Sequence, residues 1–473
     1  MKILLINPPA ENEILSCNPK IIKSERGFDP PLGLLYLAGY IKKYSDYELK
    51  IIDAQVEKMS YHQLDEEIKK FNPDIVGITA MTFTLLDVLK SVEITKKRCP
   101  KSKIVIGGPH VQIYPEETAN LKNIDYVVLG EGEKIFLKLI QNIDQPEKLK
   151  NVNGLVFKES GKIINTGKPD FLNNLDELPF PPRKILPYKK YFSLLAKGKV
   201  ITTMFTSRGC PFQCAFCDRP AMGRIFRARS AKNVIDEMEE CLELGIKEIF
   251  IYDDTFTVDR QRVVDMCNEI IKRNLKFIWD VRARVNTVDE ELLFLLKKAG
   301  CERIHYGVEA GTEKILKVLN KQISLEQTLR AFKITKEAGI QTLAYFMIGA
   351  PTETKEDIMQ TIEFMKKLKP DFVQITLLTP FPGTKIYQLA LEEKVFDDYW
   401  REFARSPQPG FKTKYWTKEL SSDELKKLLT IAYKKFYIRP IYIIKRIFKI
   451  KSLSELLRKL KAGLKVIGMK NVV

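Results

Sequence analysis

Residues 201–220 read ITTMFTSRGCPFQCAFCDRP, an apolar strand near 201–206 running directly into a loop that carries Cys210, Cys214 and Cys217. Further strands are predicted near 247–252, 276–282, 302–308, 342–348 and 371–378. They alternate with amphipathic helices near 231–244, 259–273, 288–299, 312–319, 325–338 and 354–368. Six such βα units fall short of the eight that close a barrel. The pattern therefore predicts an open (β/α)6 partial TIM barrel over residues 196–395, with chemistry at the C-terminal ends of its strands. A helical, basic region follows over 396–473.

Upstream, residues 141–195 read as a small hairpin (NGLVFKESGKII, 153–164) and a linker, because Pro179, Pro181 and Pro182 cannot continue a helix or a central strand. Residues 1–140 alternate short apolar runs with helical stretches. KILLIN (2–7), ELKIID (48–53), DIVGITA (74–80), KIVIGG (103–108) and DYVVLG (125–130) flank helices near 32–44, 61–71 and 84–98. Runs that are apolar throughout belong to strands buried on both faces. The fold class is α/β, with an N-terminal Rossmann-like, doubly wound parallel sheet ahead of the partial barrel.

The 473 residues, 45% of them hydrophobic, suffice for two or three domains. No run of about 18 apolar residues occurs, and the six-residue apolar stretch in MKILLINPP reads as a strand rather than a signal peptide, so a cytoplasmic protein is expected. Of the net charge of +18, much sits from Lys434 onward, where twelve Lys and Arg face the single acid Glu455. That tail, KKFYIRPIYIIKRIFKIKSLSELLRKLKAGLKVIG, could lie on an anionic membrane, pack on the barrel, or bind nucleic acid. Nucleic acid is disfavoured because neither a stacking platform nor an RNA-binding module accompanies the charge. Eight cysteines are too sparse for a disulfide framework. Cys17, Cys99, Cys241, Cys267 and Cys301 are scattered and read as small buried or surface residues.

Three thiolates in C-x3-C-x2-C spacing on one loop can hold an iron–sulfur cluster, and with no fourth cysteine nearby one iron of a cubane stays free for a ligand. A zinc site with a distant ligand and three inert thiols are the alternatives. Zinc favours paired C-x2-C or added His, whereas only three His occur, and His62 and His110 fall in the other domain. The spacing, its place after the first strand and Phe216 before the last cysteine resemble the radical S-adenosylmethionine (SAM) superfamily. That resemblance implies a 4Fe-4S cluster on Cys210, Cys214 and Cys217, with SAM chelated at the open iron and cleaved to a deoxyadenosyl radical. It further implies SAM contacts from Phe216, Asp253 and Asp254 (amino group), Arg282 and Arg284 (carboxylate), Glu309 (ribose), and Gly349 and Pro351 (adenine). Taken singly, each could be a cap or a turn.

NPP (7–9), PPLGLLYLAGYI (30–41), IGGPH (106–110) and GEGE (130–133) in the first domain resemble the cobalamin-binding domain of the cobalamin-dependent radical SAM class. The resemblance implies cobalamin contacts at Gly107, Gly108, Pro109, His110, Gly130 and Glu131. Gly107 and Gly108 could instead merely turn the chain, and His110 could be a surface side chain. A GxGxxG fingerprint is missing, which argues against NAD or FAD. Asp53 is followed by AQVEKM, so the D-x-H-x-x-G motif that supplies a cobalt-ligating His is absent. The implied activity is methyl transfer to an unactivated carbon of a lipid-like or other small molecule, with a ferredoxin or flavodoxin as reductant. An anaerobic oxidative cyclase of the tetrapyrrole type and a non-catalytic cobalamin carrier are the alternatives.

Overall fold

A computed structural model describes residues 1–14, 27–198, 200–218 and 223–447. Cys17, residues 219–222 behind the cysteine loop and the basic tail beyond 447 lie outside the described residues. Strand β1 (Lys2–Asn7) shows why its sequence is apolar without interruption: Ile3 and Leu5 enter one core, Leu4 and Ile6 another, and all four are fully buried. The two-residue strand β2 (Gly27–Phe28) stands outside this sheet. β3 (Glu48–Asp53), β4 (Ile75–Thr79), β5 (Lys103–Gly107) and β6 (Tyr126–Val128) complete a parallel array in the order β3-β1-β4-β5-β6. The winding reverses between β1 and β4, where open α/β sheets bind ligands beyond the strand ends. Local signals mark the helices between them. Ser60 and Gln63 form a capping box at the start of helix Tyr61–Phe71, and Asn72 ends it in the left-handed conformation.

The hairpin foreseen at 153–164 is present as β7 (Leu155–Glu159) and β8 (Lys162–Asn165). It is not free-standing, because β7 pairs antiparallel with β6 and extends the first sheet. The proline-rich stretch holds only short 3-10 turns before β9 (Phe192–Ser193), which pairs with β2. Next come β10 (Thr202–Met204) and an antiparallel ribbon of β11 (Ser207–Arg208) and β12 (Arg227–Ala228), which brackets the cysteine loop. The second sheet then adds β13 (Glu248–Ile251), β14 (Ile278–Ala283), β15 (Cys301–Glu309), β16 (Gln341–Ile348) and β17 (Phe372–Leu377) to β10. These six strands are parallel, in chain order, with β10 and β17 left as edges.

An open barrel has an edge problem, since β17 presents unpaired N–H and C=O groups. Helix Ser422–Tyr437 solves it with two tyrosines one turn apart. The Tyr433 hydroxyl takes the Ile375 N–H (3.0 Å) and donates to the Ile375 carbonyl (2.9 Å), and Tyr437 does the same at Val373 (3.0 and 2.7 Å). Tyr442 donates to the Asp371 carbonyl at 2.9 Å. The segment 433–442, which runs into the basic tail, therefore seals the barrel edge. Beyond it Ile443 and Ile444 are 40% and 54% exposed. Among the described residues no helix is long and apolar enough to cross a membrane.

Candidate active site

The cysteine loop is fastened to the barrel by its own backbone: Ala215 N–H donates to the Leu319 carbonyl (2.9 Å), and Ile386 N–H donates to the Ala215 carbonyl (3.1 Å). Cys210 and Cys214 are half-buried, Cys217 is exposed, and all three are free thiols. Arg284 Nη1 donates to Cys214 Sγ at 3.4 Å, its guanidinium stacks 3.9 Å from the Phe212 ring centroid, and Nη2 bonds the Lys321 carbonyl. Lys321 in turn pairs with Glu309 at 2.7 Å and lies 5.7 Å from the Phe216 ring centroid. Glu309 ends β15 at φ +70°, a strained conformation for a residue with a Cβ. One constellation thus gathers Cys214, Phe216, Arg284, Glu309 and Lys321, all but Lys321 expected from the sequence. Thr255 Oγ1 sits 3.8 Å from Cys210 Sγ.

At the next strand end Gly349 adopts φ +87°, and Glu353 Oε2 accepts the N–H groups of Gly349 (2.6 Å) and Ala350 (3.0 Å). Burial pushes the Glu353 carboxyl up to about 7, and Oε1 has no partner. Pro351 and Ala215 line a groove of about 490 Å³ beside Lys317 and Lys385.

The two aspartates after β13 divide. Asp254 is exposed at the crown. Asp253 is fully buried, accepting the N–H and hydroxyl of Thr206 (2.6 and 2.5 Å) and of Ser207 (3.1 and 2.7 Å); it shapes the approach to the cysteine loop and has no face free for a ligand. The arginines divide as well. Arg284 reaches the cysteines, whereas Arg282, two residues earlier on the same side of β14, lies one level deeper, 4.2 Å from the Tyr252 ring centroid.

In the first domain Glu131 is committed elsewhere. Its carboxylate takes Arg227 (2.6 and 3.1 Å), Arg208 (3.4 Å) and the Leu172 N–H (3.0 Å), while Arg208 also pairs with Glu133 at 2.5 Å. Burial would raise the Glu131 carboxyl, but Arg227 and Arg208 hold it below the usual range. Arg208 and Arg227 face each other across the β11–β12 ribbon, so GEGE latches the first domain to the base of the cysteine loop. Gly108 has φ +102°, and a Cβ there would sit 2.8 Å from the Ala80 carbonyl oxygen; chain packing already demands that glycine. A Cβ on Gly130 would strike Pro169. Gly107, by contrast, is open, its nearest neighbour being Val128 O at 3.9 Å. His110, after Pro109, is fully buried, which removes the surface reading. Its Nδ1 meets Thr82 Oγ1 at 3.0 Å, its Nε2 has no partner, and burial lowers the ring to about 4, so the imidazole is neutral.

Lys321, Glu133, Arg208 and Arg227 were missed by sequence reasoning. Strand parity around the cysteine loop, Ser207–Arg208 against Arg227–Ala228, is the signal that could have found the arginines.

Among the described residues no three His, Cys, Asp or Glu side chains converge on a single point. Cluster ligands bind different irons and need not converge on one point. The family model for the Radical SAM superfamily matches residues 204–365, and that for the B12 binding domain matches 19–140. An uncharacterised methyltransferase of Pyrococcus horikoshii is 38% identical over 95% of this chain and 95% of its own length. The chain belongs to the cobalamin-binding radical SAM enzymes. The cofactors of this radical SAM enzyme are a 4Fe-4S cluster, SAM and cobalamin. The anaerobic magnesium-protoporphyrin IX monomethyl ester cyclase of Rubrivivax gelatinosus is 33% identical over 78% of this chain and 68% of its own. The fold matches the cobalamin-dependent SAM radical enzyme OxsB with a TM-score of 0.75, at 19% identity, over 98% of this chain and 72% of that one.

Proposed function

We propose that the chain transfers a methyl group to an unactivated carbon of a small molecule held in the barrel. The reading is carried by one observation: the cysteine loop is fixed between the crown of an open barrel and the crest of a Rossmann-like sheet, latched to both. When bound, the cluster supplies the electron that cleaves SAM and cobalamin supplies the methyl group. The residues present fit both groups. Cys210, Cys214 and Cys217 would hold the cluster, and Arg284, beside Cys214, offers the SAM carboxylate a planar cationic partner. Glu309 is set to accept from ribose hydroxyls, with Lys321 fixing its orientation, and Asp254 rather than Asp253 is open to the amino group. Gly349 and Pro351 form the adenine-side turn. At the other crest, open Gly107 allows close approach, above the buried, neutral His110.

A cytoplasmic setting with a ferredoxin or flavodoxin reductant follows from the chemistry, and exposed Ile443 and Ile444 ahead of the basic tail favour peripheral contact with an anionic membrane. The test is anaerobic reconstitution with iron, sulfide and cobalamin, then incubation with SAM and dithionite and candidate substrates. Methylated product with S-adenosylhomocysteine and deoxyadenosine is expected. Deoxyadenosine with a cyclised, unmethylated product would transfer the assignment to a cyclase, and no deoxyadenosine at all would leave only a carrier.

A further inference from the structure

Resting on the proposed function, we propose that Arg282 anchors an anionic group, a carboxylate or phosphate, of the substrate inside the barrel. Burial alternates along the inner strands. On β16, Phe346 is buried and Tyr345 and Met347 only half so; on β17, Val373 and Ile375 are buried while Gln374 and Thr376 keep accessible surface. On β14 and β15 the same half-buried residues are Arg282, His305 and Gly307. Alternate residues of a strand face opposite ways, so the half-buried set lines the lumen, and the lumen is open at the level of Arg282. One level below it is closed, where Arg303 pairs with buried Asp280 at 2.6 Å.

Of the other basic groups described in this interior, Arg303 pairs with Asp280 and Lys321 with Glu309, while Arg284 is held at Cys214 and the Lys321 carbonyl, the position proposed above to meet SAM. Arg282, among the described residues, forms no ion pair within 4.0 Å. Its guanidinium lies over the Tyr252 ring, beside the Tyr345 hydroxyl. Both tyrosines are themselves fixed, Tyr252 by donating to Asp29 (2.8 Å) and Tyr345 by His305 Nδ1 (2.8 Å). A stacked guanidinium keeps N–H groups in its plane, the geometry that grips carboxylate or phosphate in two-point fashion. Arg282 is half-buried and Asp254 feels its charge without forming an ion pair with it, so the guanidinium keeps N–H groups open to an incoming anion. A hydrocarbon substrate would cover Arg282 without bringing an anion to meet it. The substrate class is thus a polar small molecule carrying an acid group, oriented with that group deep and its reacting carbon toward the cysteine loop.

The test uses the reconstituted, cobalamin-loaded protein with inorganic phosphate and succinate as probes, against chloride at equal ionic strength. Saturable binding of at least one probe to the parent is expected, weakened roughly tenfold or more in Arg282→Gln and less in Arg282→Lys. Tyr345→Phe, which removes the hydroxyl beside Arg282 and its bond to His305, is expected to weaken the same probe if Arg282→Gln fails to fold. SAM affinity, measured in parallel, is expected to stay within about twofold. A collapse of SAM affinity would assign Arg282 to the SAM carboxylate instead, and probe binding indifferent to all three variants, or no binding to the parent, would overturn the proposal. Deoxyadenosine production by the parent reports separately on the proposed function, so either claim can fail without the other.

Discussion

Replacing Glu131 by Gln tests the latch between the two domains. Arg208 and Arg227 lie directly opposite each other on β11 and β12, an arrangement that repels unless counter-charges are present. Glu131 and Glu133 supply them, and the Arg208–Glu133 side chains are each only 6% exposed. The substitution leaves two buried cations against one anion. Breaking a buried pair from one side costs about 3–5 kcal/mol. The lower end, about 3 kcal/mol, applies because Arg208 keeps Glu133, and the new amide oxygen can still accept from Arg227. The assay is urea unfolding of the apo protein followed by near-ultraviolet circular dichroism, with iron retention of the reconstituted protein measured alongside. Iron loss should accelerate, since the cysteine loop hangs from the ribbon that the pair secures. The double variant Glu131→Leu, Arg227→Met should recover most of the loss, because a neutral, well-packed replacement of a buried pair is often harmless. A single variant within about 0.5 kcal/mol of the parent, with unaltered iron retention, would refute the latch.

Serine at Cys210, Cys214 and Cys217 together should abolish the iron-dependent chromophore and deoxyadenosine formation, read by absorbance and chromatography, while leaving far-ultraviolet circular dichroism intact. Tyr433→Phe with Tyr437→Phe should cost about 1–3 kcal/mol per unsatisfied buried backbone pair and promote concentration-dependent association through the uncovered β17 edge, visible by light scattering. Two buried groups set opposing pH trends. Glu353, raised from 4.5 to about 7, contributes stability present below pH 4.5 and lost as pH rises to 7, whereas His110, lowered from 6.5 to about 4, contributes stability present above pH 6.5 and lost as pH falls to 4. Glu353→Gln should therefore gain on the parent with rising pH and His110→Gln with falling pH, each by up to about 3 kcal/mol, in paired denaturant titrations between pH 4 and 7.

The strands and helices were legible because each apolar run had a simple physical cause. KILLIN divides between two cores by parity, and all six barrel strands lie within two or three residues of where β-branched runs placed them. The cysteine loop was legible because three thiols on one loop have few other uses. What escaped was relational. GEGE looked like a ligand crest because glycine next to a strand end suits both a cofactor and a tight turn, and only the approach of Arg208 and Arg227, more than seventy residues away, reveals the latch. Likewise Tyr433 and Tyr437 at helical spacing read as ordinary core, since nothing in the helix announces that their hydroxyls meet β17.

The two domains are not merely joined. The ribbon carrying the cysteines is held from the first sheet by Glu131 and Glu133 and from the barrel by Leu319 and Ile386, so neither domain alone sets the position of the loop. Chemistry that must bring a methyl donor on one crest to a carbon activated at the other requires that separation to be fixed, because a misplacement of an ångström in a reacting pair can cost orders of magnitude in rate. Four buried charges at the loop's base are an expensive way to stabilise a fold but a direct way to fix a register, and the net neutrality of the set lets it be buried at all.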